Sequence, residues 1–368
     1  MRLLFWCERF PPVIGGTARQ AVEFLPALAE RGYDVAIVTA CEGDHDSHET
    51  WNGMPVYRFP FWQALERRSV SVMAGLRGEI AALKRDFEPA IVHTFFIGSG
   101  TLFHWLTRGE SPVAELATIQ HQWPDGQLGT DTLLSRVLGS VDWVCAPSRV
   151  TLEETRQRVP AIAARSSVVY NGLRVPDVQP APLPVSEPRF LCLQRLVPTK
   201  GTELALEAFA TVTSRFPAAR LVVAGDGPAR AGLERRAAEL GVRDAVDFLG
   251  WVEPDEVYRL LNSSTALVLP SRSEQLPLAV LQAGLMARPV IAAAVGGIPE
   301  AVVHGETGCL VAPGRADELA DAMSALLENP DRASRLGQAG RERCRQRFSL
   351  RRYVDAYDTL YRRLTVGG

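Results

Sequence analysis

Short apolar runs separated by stretches of helical spacing limit what this chain can fold into more than any other feature. In the first half they are "RLLFWC" (2–7), "DVAIVTA" (34–40), "AIVHTF" (90–95), "LATIQ" (116–120), "WVCAP" (143–147) and "SVVYN" (167–171). Each is hydrophobic throughout rather than alternating, the pattern of parallel strands covered on both faces. Between them lie segments such as "TARQAVEFLPALAERG", where Val22, Leu25, Leu28 and Ala29 recur along one helix face. Strand then helix, repeated, predicts an α/β fold with a doubly wound sheet.

The pattern breaks once. "GLRVPDVQPAPLPVSEPR" (172–189) carries five prolines and neither a helical nor a strand period, so it reads as a connector stiffened toward polyproline II. The alternation then restarts with "RFLCLQR" (189–195), "RLVVAG" (220–225), "VDFLG" (246–250), "ALVLPS" (266–271), "PVIAAA" (289–294) and "GCLVA" (308–312). At 368 residues the chain suits two domains of about 150 to 200 residues better than one core. The expected division is a domain over 1–172, a linker over 173–188 and a second domain over 189–348. The carboxyl ends of two such sheets would face a central cleft, and open α/β sheets bind ligands at those ends. The last helix, "SLRRYVDAYDTLYRRL" (349–364), gathers Tyr353, Tyr357, Leu360 and Leu364 on one face, fit to pack on either domain.

Composition excludes several classes. Hydrophobic residues at 46% and charged ones at 22% describe a globular chain, and a net charge of −2 offers no global attraction to nucleic acid. The six cysteines form no CxxC pair. Cys7, Cys145, Cys192 and Cys309 fall in strand-like runs, where they read as buried hydrophobes of a reducing compartment. The apolar run before Glu8 is too short for a signal peptide or a membrane span, and no later run reaches spanning length. A cytoplasmic location is expected. Residues 61–85, with Arg67, Arg68, Arg77, Lys84 and Arg85, leave a peripheral contact with a membrane's inner face open beside an ordinary solvated helix.

Five segments carry the chemistry. In "PPVIGGTARQ" (11–20), Gly15 and Gly16 open a helix after the first strand, where bare amides attract anions; a plain βα turn would use the same glycines. It is not GxGxxG, so a dinucleotide site is disfavoured. In "LQRLVPTKGTELALEAF" (193–209), Arg195 and Lys200 could neutralise a diphosphate as a metal would, or stand as solvated cations. "VVAGDGP" (222–228) is a tight turn with Gly225 and Gly227 in unusual backbone angles. In "LPSRSEQLPLAVLQAG" (269–284), Pro277 is expected as the first helical residue, leaving the amides of Leu278 and Ala279 free at the positive end of the helix dipole. Glu274 precedes that helix and Gln282 lies one turn after Leu278; they suit a sugar and a ribose, or merely a helix cap and a helix side. "VGGIPEAVVHGETGCLV" (295–311) reads as a loop entering a helix. "GDHDSHE" (43–49), with Asp44, His45, Asp46, His48 and Glu49, lies in a polar loop without an apolar frame for a metal. His121, after a strand, is better placed for chemistry, whereas His104 reads as packing.

Taken together these segments resemble the retaining glycosyltransferases of family 4, which have the GT-B fold. The match runs through "PPVIGG", "LAERGYDVAIVT", "YNGL", "QRLVPTKG", "VVAGDGP", "FLGWVEPDEVYRLL", "LVLPSRSEQLPLAVLQAG", "RPVIAAAVGGIPE" and "HGETGCLVAPG". The resemblance implies two Rossmann-like domains, the second holding a nucleoside-diphosphate sugar and the first the acceptor, with the final helix (349–368) packing back onto the first. It implies catalytic roles for Glu274, His121, Arg195 and Lys200, and donor contacts for Gly16, Asn171, Gly225, Leu278, Ala279 and Gln282. No metal or other cofactor is implied. The acceptor stays unassigned among glycans, lipid-linked sugars and small molecules. Two departures stand out. Gln282 replaces the second glutamate of the family's E-x7-E motif, and Gln275 replaces a usual glycine. An amide still binds a ribose, at a difference of order 1 kcal/mol. A weakly catalytic nucleotide-sugar-binding or partner subunit, or a sugar epimerase, are the alternatives.

Overall fold

The computed structural model describes residues 1–12, 15–41, 47–95, 98–109, 113–120 and 132–366. They form two compact units, one of Met1–Asn171 with the C-terminal helix, the other of Gly172–Ser349.

The first unit runs β1 (Arg2–Trp6), α1 (Gly16–Ala29), β2 (Asp34–Ala40), β3 (His48–Trp51), β4 (Met54–Phe59), α2 (Phe61–Glu66), α3 (Val70–Phe87), β5 (Ile91–Thr94), α4 (Ser99–Leu106), β6 (Ala114–Thr118), α5 (Leu133–Ser140), β7 (Trp143–Ala146), α6 (Arg149–Arg158) and β8 (Ser166–Val168). Its sheet has the order β3-β4-β2-β1-β5-β6-β7-β8, parallel except for the β3–β4 pair. The apolar runs are strands because both of their faces are covered. Leu3, Phe5 and Cys7 point into one core layer, and Leu4 and Trp6 into the other.

Two segments fold differently from expectation. His48 and Glu49, assigned above to a polar loop, begin β3, which pairs antiparallel with β4. The signal was Asn52–Gly53, the dipeptide of a two-residue hairpin; both take positive φ, 48° and 79°. Asp44, His45 and Asp46 lie outside the described residues. The 61–85 segment is two helices, broken at Arg68 with φ 48°. Lys84 is no surface cation, since its Nζ donates to Thr107 Oγ1 at 2.7 Å and to the His104 carbonyl at 3.1 Å. Arg67, Arg68, Arg77 and Arg85 remain exposed. Among the described residues, no helix is long and apolar enough to cross a membrane.

The second unit runs β9 (Arg189–Leu193), α7 (Thr202–Arg215), β10 (Arg220–Ala224), α8 (Arg230–Glu239), β11 (Val246–Gly250), α9 (Pro254–Asn262), β12 (Ala266–Leu269), α10 (Leu278–Leu285), β13 (Val290–Ala293), α11 (Ile298–Ala301), β14 (Gly308–Val311), α12 (Ala316–Glu328) and α13 (Pro330–Arg347). Its parallel sheet has the order β11-β10-β9-β12-β13-β14. The proline-rich connector is tied to this unit. The Asn262 side chain donates to the Gln179 carbonyl at 2.9 Å and accepts from the Ala181 amide at 2.7 Å. The buried Arg288 guanidinium donates to the Ala181 carbonyl as well.

The last helix, α14 (Leu350–Val366), lies in the first unit. Tyr353, Tyr357, Leu360 and Tyr361 are buried in the core layer that also holds Phe5, Phe24 and Phe95; full burial of each such side chain stabilises by about 1.5–3 kcal/mol. The Tyr357 and Tyr361 hydroxyls meet a buried polar line. His93 Nδ1 lies 2.6 Å from Tyr361 Oη, His93 Nε2 lies 2.8 Å from Thr118 Oγ1, and Thr118 Oγ1 lies 2.9 Å from Tyr357 Oη. Burial pushes the His93 imidazole down to about 3, so it is neutral and serves one donor and one acceptor.

The cysteines behave as small hydrophobes. All six are free thiols, and burial pushes Cys7, Cys145, Cys192 and Cys344 up to about 12, where they are inert.

Candidate functional site

In the second unit the strand order reverses at β9, whose neighbours are β10 on one side and β12 on the other. The loops leaving β9 and β12 therefore diverge, opening the crevice in which open α/β sheets bind ligands. Those loops carry Arg195, Lys200 and Glu274.

Close backbone packing sets the loop after β9. The Gln194 amide donates to the Ala224 carbonyl at 3.1 Å and the Leu196 amide to the Asp226 carbonyl at 2.8 Å. Gly225 is required here, because at φ 138° a Cβ would sit 1.9 Å from the Gln194 carbonyl oxygen. Gly201 plays the same part on the other side: at φ 63° its Cβ would meet the Pro270 carbonyl at 2.3 Å. The Arg272 amide then donates to the Thr199 carbonyl at 2.9 Å. The two loops are thus locked to each other by backbone alone, and the side chains they carry inherit that rigidity.

Lys200 Nζ donates to Glu274 Oε1 at 2.5 Å, with side-chain exposures of 22% and 8%. Ser271 Oγ donates to the same oxygen at 2.8 Å. Behind them, Gln194 Nε2 spends its protons on the Lys200 carbonyl at 3.1 Å and Thr202 Oγ1 at 3.0 Å. Ser271 and Gln194 escape sequence reasoning, since each meets its partner across a loop or across the sheet; the only signal is position, at or just past a strand's carboxyl end. Arg195 is exposed and makes no ion pair or side-chain hydrogen bond among the described residues. Lys200 thus neutralises Glu274, and the exposed Arg195 guanidinium stands on the same loop as Lys200.

The third contributor is the start of α10. Pro277, expected as the first helical residue, is instead its N-cap, extended at φ −70° and ψ 130°. A proline lacks the N–H either way, so only the boundary moves by one. Leu278 and Ala279 are the first two helical residues, and no side chain caps them. Their amides have no intrahelical acceptor and carry the positive end of the dipole. Gln282 is buried one turn further on.

The remaining sequence-predicted residues lie in the first unit. Gly16 is the exposed first residue of α1, after the N-cap Gly15. Asn171 is buried and ends the unit. His121 lies outside the described residues. His104 is buried against Lys84 and Glu115 and is held neutral by burial. Among the described residues, no group of three or more His, Cys, Asp or Glu side chains stands together as a metal-ligand set.

The first unit has its own reversal point between β1 and β5, and it is closed from within. The Glu8 carboxylate, just past β1, accepts from the Ser99 hydroxyl, the Ser99 amide at 3.1 Å and the Gly100 amide at 3.2 Å. It occupies the anion seat at the start of α4. Neither glycine there has room for a side chain, because a Cβ on Gly98 would fall 2.5 Å from Glu8 Oε2 and one on Gly100 2.6 Å from Trp6 Nε1.

Known proteins share this architecture. Residues 14–175 match the family described as Glycosyltransferase Family 4, and residues 177–343 match Glycosyl transferases group 1. The D-inositol 3-phosphate glycosyltransferase of Nocardia farcinica is 30% identical over 358 residues, covering 87% of this chain and 77% of the relative. Among solved structures, the sucrose-phosphate synthase of Thermosynechococcus elongatus superposes with a TM-score of 0.86 at 22% identity, covering 100% of both chains. Anabaena HepE in complex with UDP-glucose superposes at 0.79 with 19% identity, covering 98% of this chain and 99% of that one. Two Rossmann-like parallel-sheet units, two family matches that between them span most of the chain and a relative similar over most of its length lead to one conclusion: the chain belongs to the family 4 glycosyltransferases and is a glycosyltransferase of the GT-B fold.

Proposed function

We propose that the enzyme moves a sugar from a nucleoside-diphosphate donor to a hydroxyl acceptor with retention of anomeric configuration and without a metal ion. The observation that carries this reading is the charge pattern at the reversal point of the second unit. Lys200 is paired with the buried Glu274 carboxylate, Arg195 stands exposed on the same loop as Lys200, and the uncapped start of α10 follows Glu274 along the next loop. A diphosphate is the leaving group that such a set stabilises, and stabilising charge that develops on the leaving group accelerates its departure. HepE, a structural neighbour, was solved with UDP-glucose, which supports a nucleotide-sugar donor here.

In this reading Lys200 and Arg195 hold the diphosphate with the Leu278 and Ala279 amides. Glu274, steadied by Ser271, contacts the sugar through its second oxygen, and Gln282 meets the ribose. For Gly16, Asn171 and His121 the family resemblance is the whole support for a role, and Gly225 keeps the diphosphate loop in place. The bond from the anomeric carbon to the phosphate oxygen breaks while the acceptor oxygen bonds to the same face. The acceptor proton passes to the departing phosphate oxygen, so no enzymic base is required. Rate then rests on positioning and charge.

A thermal-shift screen of nucleoside diphosphates and their sugars, followed by turnover with pooled hydroxyl acceptors after chelator treatment, tests the proposal. At least one diphosphate raises the melting temperature, its sugar supports transfer, and the product keeps the donor's anomeric configuration. Failure of every nucleotide to stabilise the fold would remove the donor assignment, and loss of turnover on chelation would remove the metal-free one.

A further inference from the structure

The β3–β4 hairpin carries a residue that its strand pattern does not call for. Met54 and Val56 belong to the core layer that also holds Phe5 and Phe24, and alternation along β4 puts Arg58 next on that face. Arg58 is 2% exposed. A buried guanidinium is favourable only when its donors are met, and here one nitrogen of three is engaged. Nη2 donates to the Pro11 carbonyl at 2.5 Å and to the Glu49 carboxylate, whereas Nε and Nη1 are buried without a partner. An apolar side chain would serve the fold at least as well. What Arg58 adds is its hold on Pro11.

Pro11 belongs to the connection from β1 to α1. That connection leaves the carboxyl end of β1, beside the point between β1 and β5 where the sheet order reverses, and open α/β sheets meet their ligands at such ends. It leads to the start of α1, which has neither a side-chain cap nor an acidic residue in its first turn. The hairpin holds it at two successive residues. Phe10, fully buried, meets the Trp51 ring edge-on, with centroids 5.1 Å apart and an interplanar angle of 85°. Arg58 fixes the Pro11 carbonyl from the other strand. Pro12 and the N-cap Gly15 are three positions apart in sequence, a reach of at most about 11 Å, so the place of Pro11 bears directly on the entry to α1.

We propose that the β3–β4 hairpin is a clamp on the β1–α1 connection and that Arg58 is its positioning residue, setting the start of α1 for glycosyl transfer and not for the stability of the fold. The proposal rests on the transfer reading above. Arg58→Met keeps an unbranched chain and removes the donors. Arg58→Lys keeps one cationic nitrogen, which is all that the observed contacts use. The experiment records, on the full chain, melting curves, hydrogen exchange in peptides covering residues 8–21, turnover with the nucleotide sugar and acceptor found by the screen above, and calorimetry with the bare nucleotide. In Arg58→Met the melting temperature holds or rises and exchange quickens in that segment alone. Its kcat/KM falls at least about tenfold, because a small misplacement is costly to a reaction that depends on positioning. The bare nucleotide, assigned to the second unit, binds within about twofold of the original. Arg58→Lys restores kcat/KM to within about threefold, since its ammonium still donates to the Pro11 carbonyl.

Destabilisation or unfolding of Arg58→Met would overturn the proposal, because Arg58 would then support the fold itself. Unchanged exchange over residues 8–21 would remove the clamp. Faster exchange with unchanged kcat/KM would remove its part in transfer, and a lysine variant as poor as the methionine one would show that the hold on Pro11 is not what matters. If the unsubstituted enzyme transfers no sugar, the transfer reading fails on its own, and the exchange measurement still decides the clamp.

Discussion

The two reversal points of this molecule use similar parts to opposite ends. Each places a carboxylate and a helix start at the carboxyl ends of a parallel sheet. In the first unit, Glu8 lies across the start of α4 and takes the Ser99 and Gly100 amides for itself. In the second, Glu274 is turned onto Lys200 and Ser271, and the start of α10 is left uncapped. One anion seat is filled by the protein; no side chain caps the other, and it is there that the proposed diphosphate would sit. A helix start therefore identifies a ligand site only once the location of the nearest internal carboxylate is known.

The sharpest way to break that comparison is Lys200→Ala. Losing a charge-assisted contact with a diphosphate costs about 2–3 kcal/mol, so affinity for the bound nucleoside diphosphate and kcat/KM both fall about 100-fold. Calorimetry with the bare nucleotide decides it, and unchanged affinity would show that the open seat is not the diphosphate site. Next in size is the buried line at α14. His93 is neutral in the folded protein, pushed down to about 3, whereas an unfolded chain protonates histidine near 6.5. The unfolded state thus binds more protons between those values, so the stability present above about 6.5 is lost as pH falls toward 3. His93→Gln lowers stability at pH 7 by about 1–3 kcal/mol and makes its loss between pH 7 and pH 5 shallower in denaturant titrations. His104, also held below its usual value by burial, keeps part of the slope.

Glu8→Gln probes the closed seat. It removes the charge from the start of α4 and costs about 1 kcal/mol, or a melting shift of about 2–4 °C for a unit of this size, while nucleotide affinity stays unchanged. A nucleotide effect from Glu8 would mean that the first unit's seat also serves the ligand. The smallest effect belongs to Gln282→Glu, which leaves nucleotide affinity equal or tightens it by less than about tenfold. A loss of affinity there would show that the amide is a requirement of this enzyme and not a tolerated substitute.

Much of this was legible along the chain. Uniformly apolar runs such as "DVAIVTA" became parallel strands because nothing else covers both faces of such a run. The face of α14 followed from its spacing, whereas on α1 only Leu25 and Leu28 of the four residues read as one face are buried: Val22 is half-buried, Ala29 is exposed, and Ala21 and Phe24 are buried instead. The β3–β4 hairpin was written in Asn52–Gly53 but masked by the polar residues of an exposed edge strand, "HETW". Lys84 looked like a surface cation because a one-dimensional reading cannot see Thr107 and His104 arriving from another helix. Ser271 and Gln194 carry no local signature beyond their position just past a strand's carboxyl end.

Local periodicity and turn chemistry, which act over a few residues, are what the amino-acid order determined by itself: parallel α/β units, their strand positions, the glycines of the tight loops and the cations after β9. Which of those groups end up paired was decided only in three dimensions. Glu274 meets Lys200 across 74 residues of chain and Glu8 meets Ser99 across 91, through contacts set by sheet order. A charge's partner, and hence whether it is structural or available to a ligand, is a property of that order and not of its neighbours in sequence.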